Sequence, residues 1–311
     1  MGFSEAEVIA ELARIFSRED SRVVVGIGDD AAVVTSSVHE TVITTDMAVE
    51  DVHFKREWSK AHEIGAKITA ANLADIYAMG AIPRHLVAAV SLTGNESINW
   101  IRELAQGMKA EADKCDVSII GGDIVRGPVV TISMTAFGEV VSPILRSGAQ
   151  VGDGIYLSAL PGFSAAGFYL LSNEIKISAL VNASLAEKAL AQFRSPDVDY
   201  QAGRALSRAH SLCDVSDGLV TQGNQIAHAS GVRLEMDARL ISELQGFQGL
   251  MNLAEEVGAH VWDWIACGGE DHVFLATGAD LPGVKIGAVV EGLDCEILGL
   301  AQTPKGFTHF L

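Results

Sequence analysis

Aspartates set among small residues are the groups in this chain best suited to chemistry. They stand in residues 26–30 (GIGDD), 44–46 (TTD), 72–75 (NLAD), 121–123 (GGD) and 214–218 (DVSDG). Aspartate is a short, hard oxygen ligand, and a neighbouring glycine lets the backbone turn tightly and a ligand come close. Taken singly, GIGDD, GGD and DVSDG read first as turns, because Gly and Asp are common turn formers. TTD is a weaker signal still. Asp75 is harder to dismiss: Leu73, Ala74, Ile76 and Ala78 around it are apolar or small, and a carboxylate buried among them needs a partner. Read jointly, the five sites predict a fold that gathers carboxylates around Mg²⁺ ions holding phosphates.

The usual phosphate-binding devices are missing. The sequence has no GxxxxGK[ST] loop and no Gly-rich kinase loop with its lysine and HRD partners. If the chain handles ATP, metals and carboxylates must do the work of those lysines. Arg126, in GGDIVRG, and Arg146, in LRSG, are surface arginines by default. Beside acidic, Gly-rich turns they are also natural bidentate phosphate clamps. His53, in DVHF, reads as an ordinary half-buried histidine when taken alone. Ser216 lacks a GxSxG elbow, and no Ser/His/Asp arrangement is visible.

The positioning elements follow from periodicity. Residues 5–16, 62–79, 97–115 and 219–229 read as helices, and in the second of these Asn72 and Asp75 share a face. Strands are expected at 23–27, 31–35, 40–45, 85–92, 117–120 and 129–140, with TTD and GGD as acidic turns at strand ends. Residues 142–153, which hold the turn residues Pro143, Gly148, Gly152 and Asp153, mark a domain junction. Beyond it, strands are expected at 154–158, 211–215, 233–236 and 273–276, with helices between them. This alternation predicts two α/β domains, 1–141 and 142–311.

Composition narrows the partners. The 311 residues carry a net charge of −18, which argues against nucleic acid or an anionic membrane as the main partner. It does not exclude phosphates bound through metal ions. Cys115, Cys213, Cys267 and Cys295 are widely spaced, so zinc is not expected and reduced thiols in the cytoplasm are. The N-terminus lacks a signal-peptide layout, and no apolar run approaches a membrane span.

Together the motifs resemble the thiamine-monophosphate kinase family, within the superfamily of aminoimidazole ribonucleotide synthetase. The resemblance rests on GIGDDAAVV, TTDMAVEDVHF, ANLADIYAMGAIP, IIGGDIVRG, RSGAQVGD, DVSDGL, GGED and the terminal GFTHF, in that order along nearly the whole chain. It implies ATP-dependent phosphorylation of thiamine monophosphate with Mg²⁺, a two-domain α/β (α+β) architecture like that of aminoimidazole ribonucleotide synthetase, and a homodimer in which the N-terminal domains meet. By the same resemblance Asp30, Thr44, Thr45, Asp46, Asp75, Asp123, Asp214 and Asp217 would hold Mg²⁺, with Asp29 contributing. Gly122, Asp123, Arg146 and Ser216 would contact ATP, and His53, Glu270 and Phe307 would line the thiamine monophosphate site. Asp46, Asp75 and Asp123 would carry the catalysis. The chain departs from the family pattern at Asp51, where Gly is usual, at Ile124 and Val125, where two threonines are usual, at His272 and Val273, and in LSALPG, which lacks the usual Thr-Gly. Two rivals remain: another enzyme of the superfamily, closing the ring of a formylglycinamidine ribonucleotide, and an acidic nucleotide- or metal-binding protein without turnover.

Overall fold

The computed structural model describes residues 5–25, 33–34 and 40–300. Asp29, Asp30 and Phe307 lie outside the described residues. The chain divides into two compact units, Met1–Ile76 with Ala81–Ser142, and Tyr77–Gly80 with Pro143–Leu311. Both mix strands and helices, as the alternating pattern predicts.

The first unit opens with α1 (Glu5–Phe16), β1 (Val23–Val25) and β2 (Val33–Val34), the two strands pairing antiparallel. There follow β3 (Glu40–Val49), α2 (Ala61–Ala78), β4 (Ile82–Leu92), α3 (Ile98–Lys114), β5 (Ser118–Arg126) and β6 (Thr131–Val140). The last four strands form one sheet in the order β3-β6-β4-β5, so β3 and β5 are its edges. Burial alternates along β6, with Ile132, Met134 and Ala136 fully buried, as expected for a sheet with one covered face. α2 lies on that face, where Ile76 meets Gly138. The other face leaves Ile43 and Met47 61% and 55% exposed, and Val125 on β5 is 52% exposed.

Two expectations change here. TTD and GGD are not turns at strand ends but lie inside β3 and β5. The reason is pairing: β6 stays in register with β3 as far as Val49, and β4 with β5 as far as Arg126. Backbone hydrogen bonding thus carries both strands through their polar motifs.

The second unit contains β7 (Gly154–Leu157), α4 (Phe163–Ser172), α5 (Ala183–Arg194), α6 (Tyr200–Ala205), β8 (Ser211–Asp214), α7 (Leu219–Ser230), β9 (Arg233–Asp237), α8 (Ala238–Ser242), α9 (Phe247–Val257), α10 (Val261–Cys267), β10 (Phe274–Gly278), β11 (Val284–Val290) and β12 (Cys295–Leu298). Its six-stranded sheet runs β12-β9-β11-β7-β10-β8, with only β12 and β9 parallel. Every residue of β7, β8 and β10 is buried. Leu157, Leu234, Leu250, Ile265, Leu275 and Ile286 centre a core that fixes the loops at the strand ends. Among the described residues no helix is long and apolar enough to cross a membrane.

Candidate active site

In the first unit the period-2 alternation of β3 sorts the TTD motif. Thr44 and Asp46 are half-buried and Thr45 is exposed. Thr44 Oγ1 donates to Asp75 Oδ2 at 2.6 Å, tying strand to helix. Asp46 pairs across the sheet with Met134, and Met134 with Ala88, both buried residues of the covered face. Thr44, Asp46 and Asp75 therefore share that face. Thr45 points the other way: its hydroxyl donates to the Met134 carbonyl at 3.0 Å and accepts from the Thr135 hydroxyl at 3.1 Å. Only its main-chain carbonyl is left to join the other oxygens. One helical turn before Asp75, Asn72 is fully buried. Its Nδ2 donates to the Ile68 carbonyl at 2.9 Å, and its Oδ1 has no hydrogen-bond partner among the described residues. Helical spacing alone marks Asn72 only as a neighbour on the Asp75 face.

Gly122 falls in the Asp46 row, opposite Ala88, whereas Asp123 falls opposite Ala89 and in the row of Ser133 and Met47. Asp123 thus leaves the backbone on the face opposite to Asp46, at the other edge of the sheet. Asp123 is exposed, and its Oδ1 accepts from the Ile124 amide at 2.9 Å.

His53 sits in a turn directly after β3. Its Nδ1 accepts from the Val49 amide at 3.1 Å, and its own amide donates to the Val49 carbonyl at 2.9 Å. A ring nitrogen that accepts carries no proton, so the imidazole proton is on Nε2. Asp51 begins this turn at φ 65°. This is the left-handed region that Gly enters freely and Asp tolerates, which explains the glycine usual there in the family.

In the second unit two loops build the site. DVSDG follows β8 and GGED precedes β10. They pair through Glu270 N to the Ser216 carbonyl at 2.8 Å, His272 N to the Val215 carbonyl at 3.1 Å and Val215 N to the Val273 carbonyl at 2.7 Å. Asp214, Ser216, Asp217 and Glu270 are brought onto these two paired loops. The approach is close enough to demand glycine: a Cβ on Gly269 would lie 2.1 Å from the Ser216 carbonyl oxygen. Glu270 and His272 take φ 63° and 53°.

Three supporting residues carry no signal in the sequence pattern. His272 Nδ1 lies 2.8 Å from Asp214 Oδ2, both side chains being buried. Gln222 Nε2 donates to Ser216 Oγ at 3.2 Å. Asp271 is buried and accepts from the amides of Gly162 and Ser164 at 2.6 and 2.9 Å, capping the start of α4. Burial pushes its carboxyl up to about 6, against the opposing pull of those two amides and of His272.

Arg146 stands apart from these loops. Its carbonyl accepts from Ser211 and Ser230, at the start of β8 and the end of α7. About 10 Å of strand separates Ser211 from Asp214, so the Arg146 backbone is set back from Ser216 along β8.

Among the described residues no group of three or more His, Cys, Asp or Glu side chains is close enough to hold a metal ion. The donors that share the covered face are hard oxygens: Thr44 and Asp75, which are in contact, and Asp46, two residues along the same face of β3. Their chemistry suits Mg²⁺ and not zinc or copper.

The chain is similar to known proteins along most of its length. The AIR synthase related protein, N-terminal domain, family matches residues 28–140. A thiamine-monophosphate kinase of Mycobacterium tuberculosis (strain H37Rv) is 36% identical over 274 residues, covering 88% of this chain and 80% of that protein. Its counterpart in Bacillus subtilis (strain 168) is 30% identical over 318 residues, covering 93% and 94%. Among solved structures, the thiamine-monophosphate kinase from Stenotrophomonas maltophilia K279a superimposes with a TM-score of 0.83 at 31% identity, over 97% of this chain and 99% of that one. AaThiL, complexed with AMPPCP and TMP, superimposes with a TM-score of 0.80 at 27% identity, over 98% and 97%.

Proposed function

This chain belongs to the thiamine-monophosphate kinase family, and on that premise we propose that it transfers the γ-phosphoryl group of ATP in line to a phosphate oxygen of thiamine monophosphate. The acceptor oxygen bonds to the γ-phosphorus, the bond from that phosphorus to the β,γ-bridging oxygen breaks, and thiamine diphosphate and ADP leave. This is the closing step of thiamine diphosphate formation. The observation that carries the reading is the set of hard oxygens on the covered face of the first sheet, where Thr44 binds Asp75 and Asp46 lies on the same face of β3.

Donor and acceptor are both anionic, and two like charges ~4 Å apart repel by about 4 kcal/mol at an effective dielectric near 20. Bound Mg²⁺ would offset that repulsion. Asp30, Thr44, Asp46, Asp75, Asp123, Asp214 and Asp217 would supply side-chain oxygens to it, and Thr45 its carbonyl. The acceptor phosphate already carries a nucleophilic oxygen, so no strong general base is needed. Arg146 and Ser216, set apart along β8, suit an extended nucleotide, with Gly122 and Asp123 also contacting it. His53, donating through Nε2, with Glu270 and Phe307, would hold thiamine monophosphate. On this reading residues 1–141 bind ATP and Mg²⁺, residues 142–311 complete the site, and the enzyme works in the cytoplasm.

The functional form is a homodimer. Two observations support it: the exposed apolar side chains on the open sheet face, and the placing of Asp46 and Asp123 on opposite edges, three strand spacings or about 14 Å apart. Two sheets apposed by those faces about an axis along the strands would bring Asp123 of one copy toward the β3 edge that carries Asp46 in the other, and one site could then draw on both.

The test is a coupled ADP-release assay. ADP release that requires both thiamine monophosphate and Mg²⁺ is expected. Turnover of a formylglycinamidine ribonucleotide instead would favour the ring-closing relative, and ATP binding without turnover of either substrate would favour a non-enzymatic binder.

A further inference from the structure

Arg56 is the hub of a half-buried ion-pair cluster that the phosphoryl transfer itself does not use. Its Nε lies 2.6 Å from Glu50 Oε1, and its Nη2 lies 2.9 Å from Glu50 Oε2 and 2.6 Å from Glu96 Oε1. The Glu96 side chain is fully buried. It also accepts from the Thr93 hydroxyl at 2.8 Å and the Gly94 amide at 3.0 Å. Glu50 Oε2 accepts from the Val130 amide at 3.2 Å. The guanidinium stands 5.0 Å above the Trp100 ring, within cation–π range.

Position gives this cluster a purpose. Glu50 immediately precedes the turn that carries His53, and Arg56 follows it. The Arg56–Glu50 pair closes the turn like a clasp, and Glu96 anchors the clasp to the segment before α3. Such support offsets a cost, because Asp51 starts the turn at φ 65°, a conformation that Asp tolerates less freely than glycine. Within the turn the Val49 amide fixes the His53 tautomer through Nδ1. A guanidinium that bonds both carboxylates through Nη2 suits this task better than an ammonium, because its planar donors fix direction as well as charge.

We propose that Arg56 is a positioning residue for substrate binding: clasped by Glu50 and Glu96, it sets the turn so that His53 presents Nε2–H to thiamine monophosphate. The proposal rests on the reading that His53 contacts that substrate.

The test separates the two ideas. Nitrogen-15 NMR of the ring nitrogens in the full-length protein reads the His53 tautomer directly, and steady-state kinetics read substrate binding. In Arg56→Lys, and in the isosteric Glu96→Gln, the single Nε2–H tautomer of His53 should give way to a mixture. KM for thiamine monophosphate should rise roughly tenfold, as expected for loss of an outer-shell support, with kcat and KM for ATP within about twofold. Arg56→Lys retains a cation at the pair, so it guards against simple loss of folding. The double variant His53→Ala/Arg56→Lys should be no worse than His53→Ala alone. An unchanged His53 spectrum in both clasp variants, or additive effects in the double variant, would overturn the role of Arg56. A changed spectrum with KM for thiamine monophosphate unmoved in His53→Ala would instead sink the reading of His53 while leaving the clasp in place.

Discussion

Asp75 occupies a helix position whose neighbours Leu73, Ala74 and Ile76 are wholly buried, so its carboxylate has to be held by something. Thr44 holds one oxygen at 2.6 Å. Asp75→Asn keeps the shape and the Thr44 contact while removing the charge. Turnover should fall roughly a hundredfold or more, the scale of losing one strong electrostatic contact to the reacting groups, and the thermal midpoint should move by only a few degrees. Asp46→Asn should behave likewise. Normal kcat at ordinary Mg²⁺ in either variant would remove these carboxylates from the chemistry. Asp271 makes a different case. Burial raises its carboxyl to about 6 in the folded chain, from an ordinary value of 3.8. Between these values the folded state keeps the proton and the unfolded state has lost it, so this group's contribution to stability falls as pH rises from about 4 to about 6 and is flat above. Denaturant titrations across that window should give a steeper fall for the native chain than for Asp271→Asn. Equal slopes would mean that the Gly162 and Ser164 amides, rather than burial, set its charge.

At the scale of elements, packing between α2 and α3 leaves no room for side chains. A Cβ on Gly65 would lie 2.1 Å from the Leu104 carbonyl oxygen, and one on Gly107 would lie 1.9 Å from that of His62. Gly65→Ala and Gly107→Ala should each destabilise the fold by about 1–3 kcal/mol through overpacking, despite the better helix propensity of alanine. Chemical denaturation measures this, and a stabilised variant would mean that the helices separate at little cost. Such contacts explain what can and cannot be read in the chain. The helices at Glu5–Phe16, Ala61–Ala78 and Ile98–Lys114 are legible within a residue because their apolar spacing and the Ser97 cap are local signals. The short α8 and α10 and the strands β11 and β12 are not, since runs of four to seven residues carry little periodicity. The strand identity of TTD and GGD is hidden for another reason: Gly and Asp signal turns locally, and only distant partners on β6 and β4 overrule them. The motifs of the candidate site are legible as residues. Their supports, His272 on Asp214, Gln222 on Ser216 and Asp271 on α4, depend on contacts 6 to 109 positions apart, which no local pattern encodes.

At the scale of the molecule, net charge and apolar surface pull in opposite directions. Each chain carries a net charge of −18, so two copies repel. The open face of the first sheet offers Ile43 and Met47 as exposed apolar contacts, and burying apolar area favours association by about 25 cal/mol per Å². A dimer held this way, between like-charged partners, should tighten as ionic strength rises, because salt screens the repulsion and leaves the apolar contact intact. An interface built on ion pairs would loosen instead. Sedimentation equilibrium from low to moderate salt decides between them. Met47→Glu adds a carboxylate on the β3 edge strand of that face on each copy and should give a monomer. Met47 has no part in the oxygen group on the covered face, so activity lost together with the dimer would mean that one site draws residues from two copies. Full activity in a monomeric Met47→Glu variant would show that a single chain is enough, and Asp123, on the far edge of the sheet, would then have to be removed from the set of residues acting with Asp46.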